Sequence, residues 1–595
     1  MKSKILAITL FFSVSAAAAD DVVMRAMRDE LDRSMRKLQL ENLQKPYFIS
    51  YRAVEIQNCN AGASFGALTN SYCEAPTTGQ ARSRNLSVEV RVGDYARDNT
   101  NFFVPMGDYG VARPFYLGGA SVPIDDNYDE IRRQLWLITD SLYKNALDDY
   151  AKKKAALENR TRTEDAPDLS KEDVVTLEQP TAPVTWNRAE FERTVKDLSA
   201  LFREAPGIDG SKVTLGSNHW VTRFVNSEGT SYIRDMSLAT LTINADAQAA
   251  DGMPIADFEV IRAKTVSQLP PRDEIVKRIR ALQSRIERLR KSDLLERYNG
   301  PVLFESDAAG ELFLQALGSA LTGVPRTVVD DTRLVRAFNA NGGFADRIGA
   351  RVLPDFLTVT DNPAAHEFQG QPLFGGYDID DDGVMPHPTI LVDHGILKML
   401  LHTRALLPGT THSSASRRGN GPMPSNLLIS SDKSLSPDQL KAELLRMAKQ
   451  RGNDFGIVVR RMSNPQLQNA LLRTRAIIVT RGNGPASINV DPLIEAYKVF
   501  PDGREELVRN LEINNLNFGS FKDIAAVSDH PQVYTAPVRI IVQSPGGFRL
   551  GFRAPGGPNV VSMAVPAMLF DDLTLQRPAG DVPNLPFTKH PYFDK

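Results

Sequence analysis

Apolar positions recur along this chain in two rhythms, and the places where one gives way to the other divide it into elements. Val22 to Leu43 repeats at helical spacing, with charged residues on the far side, and predicts an amphipathic helix. Pro46 to Ile56 and Leu86 to Val92 predict strands, the second alternating cleanly enough to leave one face solvated. Helical spacing returns at Tyr128 to Ala156 and at Phe191 to Phe202, and His219 to Lys264 reads as a set of antiparallel strands. From Pro271 to Tyr298 a long charged helix carries Ile275, Ile279, Leu282, Ile286 and Leu289 on one face. That spacing is close to a heptad seam, suited to burial against another helix or a partner chain. Glu274 and Glu287 among its Arg and Lys residues point to a solvated outer face rather than to RNA or membrane.

After Pro301 the rhythm shortens. Pro301-Val-Leu-Phe304 predicts a strand. Leu312, Leu314, Leu317 and Leu321 then predict a buried helix, with Ser306 or Asp307 placed to cap its start. Apart from a further helix at Asp438 to Lys449, the remainder consists of short alternating runs separated by Gly, Asn and Pro, and is predicted to be β-rich. Charge, Thr and Pro dominate residues 158–183, which read as an exposed linker or insertion. A chain of 595 residues is expected to form two or more domains. The pattern places the boundary near residue 300, with a mixed domain over 20–300 and a β-rich one over 301–595. The expected fold class is α+β.

The first residues change the picture of where the protein works. A basic start, Met1-Lys-Ser-Lys4, leads into a short apolar run from Ile5 to Val14, and Ala17-Ala18-Ala19 precedes Asp20. This is the pattern of a secretory signal peptide over 1–19, too short to span a bilayer. Export to the periplasm or the medium is expected. In an oxidising compartment Cys59 and Cys73, close in sequence, are expected to form a local disulfide. On a chain-entropy model that link contributes roughly 3 kcal/mol; two buried free thiols are the alternative. The net charge of −2 argues against a nucleic-acid binder that works by phosphate neutralisation.

Several patterns suggest chemistry and stop short of it. Asp378, Asp380, Asp382 and Gly383 fit the first half of a calcium loop, but the twelfth position is Thr389 and not a bidentate carboxylate, so a polar turn is expected. His366-Glu367 opens like a zincin motif, yet no second His stands at helical spacing after it, and His387, His394, His402 and His412 are scattered. Gly62-Ala-Ser64-Phe-Gly66 matches G-x-S-x-G, but the residues from Ala67 to Cys73 read as a hairpin rather than as a helix. An echo joins Arg418-Gly419-Asn420-Gly421 to Arg481-Gly482-Asn483-Gly484. Both are turn chemistry first, and both are candidate groove loops.

The strand-then-helix from Pro301 to Gly323 resembles the TldD/PmbA family of metallopeptidase-related proteins. So do Asn226-Ser-Glu-Gly229, the run Asp378 to Val384, Thr389 to Lys398 and Ser416 to Asn426. Near the end, Ser562 to Val565 and Phe570 to Leu573 resemble the family's closing strands. The resemblance implies an N-terminal mixed α/β domain and a C-terminal β-rich, barrel-like domain. It also implies that metal-bearing members carry HExxxH on the helix after Phe304, two zinc-ligating imidazoles and a general-base Glu. The matching residues here are Leu314, Gln315 and Ser319, none of which can take those roles. A third ligand, a Cys, is expected shortly before the closing strands, and Phe552 to Val561 contains none.

The chain therefore resembles the metal-less PmbA (TldE) type, with no cofactor of its own. Its expected role is to form a peptide chamber with a zinc-bearing paralogue, the unfolded peptide being that partner's substrate. A homodimeric peptide-binding module and a hydrolase with a relocated site are the alternatives.

Overall fold

The computed structural model describes residues 21–73, 82–103, 119–121, 123–158, 166–329, 343–464, 466–467, 488–537, 556–578 and 590–593. The expected signal peptide over 1–19 and the loop Arg481, Gly482, Asn483, Gly484 lie outside them.

The N-terminal half is one sheet with helices on a single face. Its strands are β1 (Pro46–Ser64), β2 (Ala67–Tyr72), β3 (Arg82–Val92), β5 (Gly119–Ser121), β6 (Thr176–Glu178), β7 (Gly210–Asn226), β8 (Ser231–Gln248) and β9 (Pro254–Ala263). They run in the order β5-β3-β1-β7-β8-β6, with β2 pairing β1 and β9 pairing β8. Parity along the strands sorts the two faces. Odd-numbered Tyr51, Ala53, Val221 and Ile233 pack with α1 (Val22–Lys37) and α2 (Tyr128–Glu158). Further along the same face, Cys59, Ala61, Val213, Leu241 and Ile243 form a second core with α3 (Arg188–Ala200) and α4 (Arg272–Lys291). Even-numbered residues turn the other way: Val54, Trp220 and Leu238 meet Val560, and Phe224 and Tyr232 meet Ile379.

The C-terminal half holds two layers around a central helix. β10 (Arg297–Phe304), β20 (Gly456–Met462), β21 (Leu493–Val499), β22 (Glu505–Ile513) and β26 (Met568–Gln576) pair in sequence around a ring, and β26 closes it on β10. This is a five-stranded barrel, flanked by β23 (Ile524–Val527). The second layer runs β16 (Ile396–Leu397), β15 (Thr389–Asp393), β12 (Leu357–Asp361), β19 (Asn426–Ser431), β25 (Val560–Val565), β24 (Gln532–Pro537). Short ladders join β4 (Phe102–Phe103) to β11 (Val328–Val329), β13 (Glu367–Phe368) to β14 (Gln371–Pro372), and β17 (Arg417–Arg418) to β18 (Gly421–Pro422). The helix α5 (Ser306–Leu317) is buried between the layers, its leucines packed with Phe304 and Val459 on one side and Val359 and Met563 on the other. α6 (Pro437–Gln450) covers the barrel from outside. Gly310 of α5 lies so near β24 that an added Cβ would come within 2.6 Å of Tyr534 Cβ, so a larger residue there would displace the strand.

Three expectations change. The heptad-like face of α4 buries against its own sheet, in one core with Leu241, Ile243 and Ile255 that α3 shares, and so forms no coiled-coil seam. The segment read as an exposed linker is packed only at its centre: Leu169 is buried, Lys153 Nζ lies 2.6 Å from Asp168 Oδ2, and β6 joins the sheet, while most of the residues from Lys171 to Pro183 are exposed as expected. Charge misled there because its carboxylate has a buried ammonium partner. Neither Ser306 nor Asp307 caps α5, because the helix already begins at Ser306. The capping position is Glu305, whose N–H bonds Val459 O and whose carboxylate meets Arg460.

The two halves are pinned together. Arg285 of α4 and Arg461 of β20 both donate to the buried carboxylate of Asp257, at 2.7 and 3.0 Å. At the far end, Tyr592 stacks on Phe65 in the β1–β2 turn at 5.5 Å, with the Arg203 guanidinium over the Tyr592 ring.

Candidate functional site

The three residues at the expected zinc-motif positions are built into the fold. Leu314 is buried in the central core. Gln315 crosslinks α5 to the barrel: its Nε2 donates to Ser463 O at 2.9 Å and to Glu311 Oε1 at 2.7 Å, and its Oε1 accepts from Asp491 N at 2.7 Å. Ser319 is half-buried, and its carbonyl accepts from Thr322. One turn before Gln315 stands Glu311, fully enclosed, which sequence reasoning missed. Its carboxylate receives Asn464 Nδ2 at 3.0 Å and the Tyr534 hydroxyl. Burial pushes this carboxyl above the ordinary range, although the three side-chain donors pull the other way. Arg262 of β9 lies beside them, donating to Thr535 O at 2.7 Å, and burial lowers its pKa to about 10. The helix face where metal chemistry was sought is thus a closed polar seam. A zinc ion does not fit it: Leu314 offers no lone pair and the Gln315 amide is already engaged at both ends.

A second polar cluster lies at the junction of the halves, where the even-numbered face of the large sheet meets the Asp380-Asp381-Asp382 turn. Asp380 Oδ1 accepts from Asp382 N and Val384 N, both at 2.9 Å, and Gly383 takes the left-handed conformation the turn requires, with φ of 82°. Asp381 is ion-paired with Arg52 of β1 and accepts from Arg234 Nη2 of β8 and from Gly419 N, each at 2.7 Å. Asp382 pairs with Arg417 at 3.0 Å. Burial alone would raise the Asp381 carboxyl, but Arg52 and Arg234 hold it well below the usual carboxylate range. Asp380 has no such cation and is pushed up to about 8 by burial and by Asp382. Near it, burial pushes Asp361 up to about 7 against the hydrogen bonds of Ser425. These carboxylates face guanidiniums and amides, so the sequence that begins like a calcium loop is an interdomain turn.

A small recess opens beside this turn, walled by Arg234, Met236, Tyr377, Arg418, Gly556 and Pro558. The candidate loop Arg418 to Gly421 is the β17–β18 hairpin, and it contributes Arg418 to that wall. The guanidinium of Arg418 is held by main-chain carbonyls, Pro424 O at 3.0 Å, Val560 O at 2.9 Å and Pro558 O. Arg52 and Arg234 escaped sequence reasoning, although each is a charge on the even-numbered face of a strand, among Phe48, Val54 and Ile56 or among Tyr232, Met236 and Leu238. That signal marks a buried partner.

The other candidates do not converge. Cys59 and Cys73 lie together in the α3–α4 core with Cα atoms 4.0 Å apart. Ser64 ends β1, and Phe65 and Gly66 form a tight turn into β2, so the G-x-S-x-G run is a hairpin. His402 is buried between Leu400 O and His412 O, whereas His394 and His412 are exposed. Among the described residues no group of three or more His, Cys, Asp or Glu side chains is arranged to hold a metal ion.

With this geometry in view, comparison with known proteins is decisive for ancestry. Residues 297–577, from β10 to the end of the barrel, match the model of the PmbA/TldA metallopeptidase C-terminal domain. Over that segment, just under half of the chain, the protein is of the TldD/PmbA family. A metalloprotease of Methanocaldococcus jannaschii, MJ0996, is 29% identical over 122 residues, 20% of this chain, and the match spans only 24% of that relative's length. Among solved structures, TldE from Thermococcus kodakarensis superposes with a TM-score of 0.54 at 14% identity, covering 92% of this chain and 99% of that one. TM0727 from Thermotoga maritima gives 0.54 at 13% identity, covering 89% and 96%. At such identities the structures share the fold, and the two-domain α+β architecture is that of the TldD/PmbA family. Of the three positions at which the sequence resemblance expects the zinc motif, Leu314 and Gln315 lie on α5 and Ser319 follows its end.

Proposed function

We propose that this TldD/PmbA-family protein is an exported, non-catalytic subunit that forms a peptide chamber with a zinc-bearing paralogue. The observation that carries the reading is Gln315: both ends of its amide hold α5 to the barrel, where a general base would have to face a metal-bound water. Leu314 and Ser319 supply no ligand, and the cysteine expected near the closing strands is missing from the sequence. The apolar start of the chain supports export, and TldE, whose fold this chain shares, supports a paired subunit.

The test is metal analysis and peptidase assay of residues 20–595 purified from periplasm without chelator, alone and after mixing with a paralogue that carries HExxxH. Less than about 0.1 zinc per chain is expected on the ligand argument. No hydrolysis alone, and hydrolysis by the mixture that exceeds that of the paralogue, complete the expected result. About one tightly held zinc per chain would overturn the reading and put an enzyme with a relocated site in its place.

A second reading, a homodimeric peptide-binding module, draws on β24, which among the described residues ends its sheet and whose Thr535 carbonyl meets the Arg262 side chain. Tight peptide binding by a dimer that takes up no paralogue would favour it.

A further inference from the structure

The recess beside the Asp381 turn is basic, and nothing in the chamber reading uses it. Arg234 comes from the large sheet and Arg418 from the β17–β18 hairpin, so the wall is built from both halves. The single fully ionised carboxylate on that wall, Asp381, already receives Arg52, Arg234 and the Gly419 amide. Arg418 has three main-chain carbonyls and no carboxylate within ion-pair distance among the described residues. Arg234 is 5% exposed, and its Nε has no acceptor among the described residues. Enclosed guanidiniums short of a counter-charge are costly, and burial accordingly lowers the Arg418 pKa. The raised carboxyls of Asp361 and Asp380 leave the neighbourhood still shorter of negative charge near neutral pH.

The shape narrows the ligand. The innermost cavity is about 10 Å³, and the whole recess with its open mouth about 250 Å³. One oxygen of a planar group can enter fully while the rest stays at the mouth, where Met236 and Pro558 offer apolar contact. A tetrahedral phosphate, bulkier than one edge of a carboxylate, does not match that space. Beside Arg234 the wall is closely packed glycine. A Cβ on Gly556 would come within 2.4 Å of Arg234 Nη2, and one on Gly557 within 2.6 Å of Met236 Sδ. Thr222 Oγ1 fixes this wall by donating to Gly556 O at 2.9 Å.

We propose that this recess binds a carboxylate through Arg418 and Arg234, and that in the chamber the group bound is the C-terminal carboxylate of a peptide. The peptide part rests on the chamber reading above, while the carboxylate part stands on the recess alone. The protein would then hold peptides by their free end, whatever their side chains.

The experiment is calorimetric titration of the full mature chain with an N-acetylated alanine pentapeptide as the free acid, with the same peptide as its C-terminal amide, and with acetate. The acid is expected to bind at least about tenfold tighter than the amide, as a charge-assisted contact implies, and acetate to compete with it. In Arg418→Met that preference should vanish and in Arg418→Lys part of it should return. Should the substitutions prevent folding, the acid–amide comparison on the unaltered protein decides alone. Equal binding of acid and amide overturns the carboxylate site and leaves the chamber reading standing. Acetate binding without any peptide binding upholds the carboxylate site and overturns its link to the chamber. No binding of any of the three overturns the proposal altogether.

Discussion

Single side chains show how this fold tolerates charge in its interior. Asp381 is shared by Arg52 and Arg234 from one half and by the Gly419 amide from the other. Asp381→Asn removes the charge that two enclosed guanidiniums face, and about 3–5 kcal/mol of stability should go with it, as a shift in urea midpoint at pH 7. Asp361 behaves in the opposite sense. Its carboxyl, near 3.9 in an unfolded chain, is raised to about 7 in the fold. The folded state therefore keeps a proton that the unfolded chain has lost between those values. The stabilising contribution is complete below about pH 4 and disappears as pH rises through about 7. Asp361→Asn should flatten the decline of stability across that window; parallel unfolding profiles for variant and parent at pH 5, 6, 7 and 8 would contradict the assignment. Residues of this kind were the least legible in the sequence. A motif search looks for ligand types at fixed spacing, and Arg52, Arg234 and Asp381 are far apart in the chain and meet only because strand parity turns them to one face.

At the level of elements the sequence was read more successfully where periodicity acts locally. The amphipathic faces of α1, α3 and α4 are properties of a few turns and appear where the pattern placed them; β3 is a strand as its alternation predicts, but the face expected to be solvated, Ser87, Glu89 and Arg91, is buried. What the pattern could not convey was the partner of each face. The α4 isoleucines resemble a coiled-coil seam until Leu241 and Ile243 are seen beneath them. The α5 helix gives the sharpest test. Gln315→Glu would set a second carboxylate against Glu311 and break the donation to Ser463 O, at a cost of about 1–3 kcal/mol, read by thermal or urea unfolding. The triple change Leu314→His, Gln315→Glu, Ser319→His should therefore weaken the protein without creating a zinc enzyme; tight stoichiometric zinc in that variant would refute the account of α5 as a closed seam. The β1–β2 hairpin carries a different prediction. If Cys59 and Cys73 are linked in the exported protein, Cys59→Ser with Cys73→Ser should lower stability by roughly 3 kcal/mol, and dithiothreitol should destabilise the parent but not the variant.

For the whole molecule, two halves are joined by buried ion pairs, and at Asp381 the cations come from the opposite half alone. Asp257 receives Arg285 from the first and Arg461 from the second, and the Asp380–Asp382 turn of the second is met by Arg52 and Arg234 of the first. Unfolding is accordingly expected to be a single cooperative transition, with fluorescence and circular dichroism melting together; two separated transitions would show the halves to be independent. The barrel adds a consequence in time rather than in space. Its first strand, β10, lies directly after α4, and the strand that closes the ring on it, β26, comes near the end of the chain, so that Arg297 faces Gln576. A ribosome therefore delivers the opening strand long before the closing one. Until the last strand emerges, β10 presents an unpaired edge ready to pair with a stranger, and a chain interrupted before residue 568 keeps that edge for good. Such a protein depends on a holdase until synthesis is complete, and its truncated products should be found in aggregates rather than as shorter soluble forms.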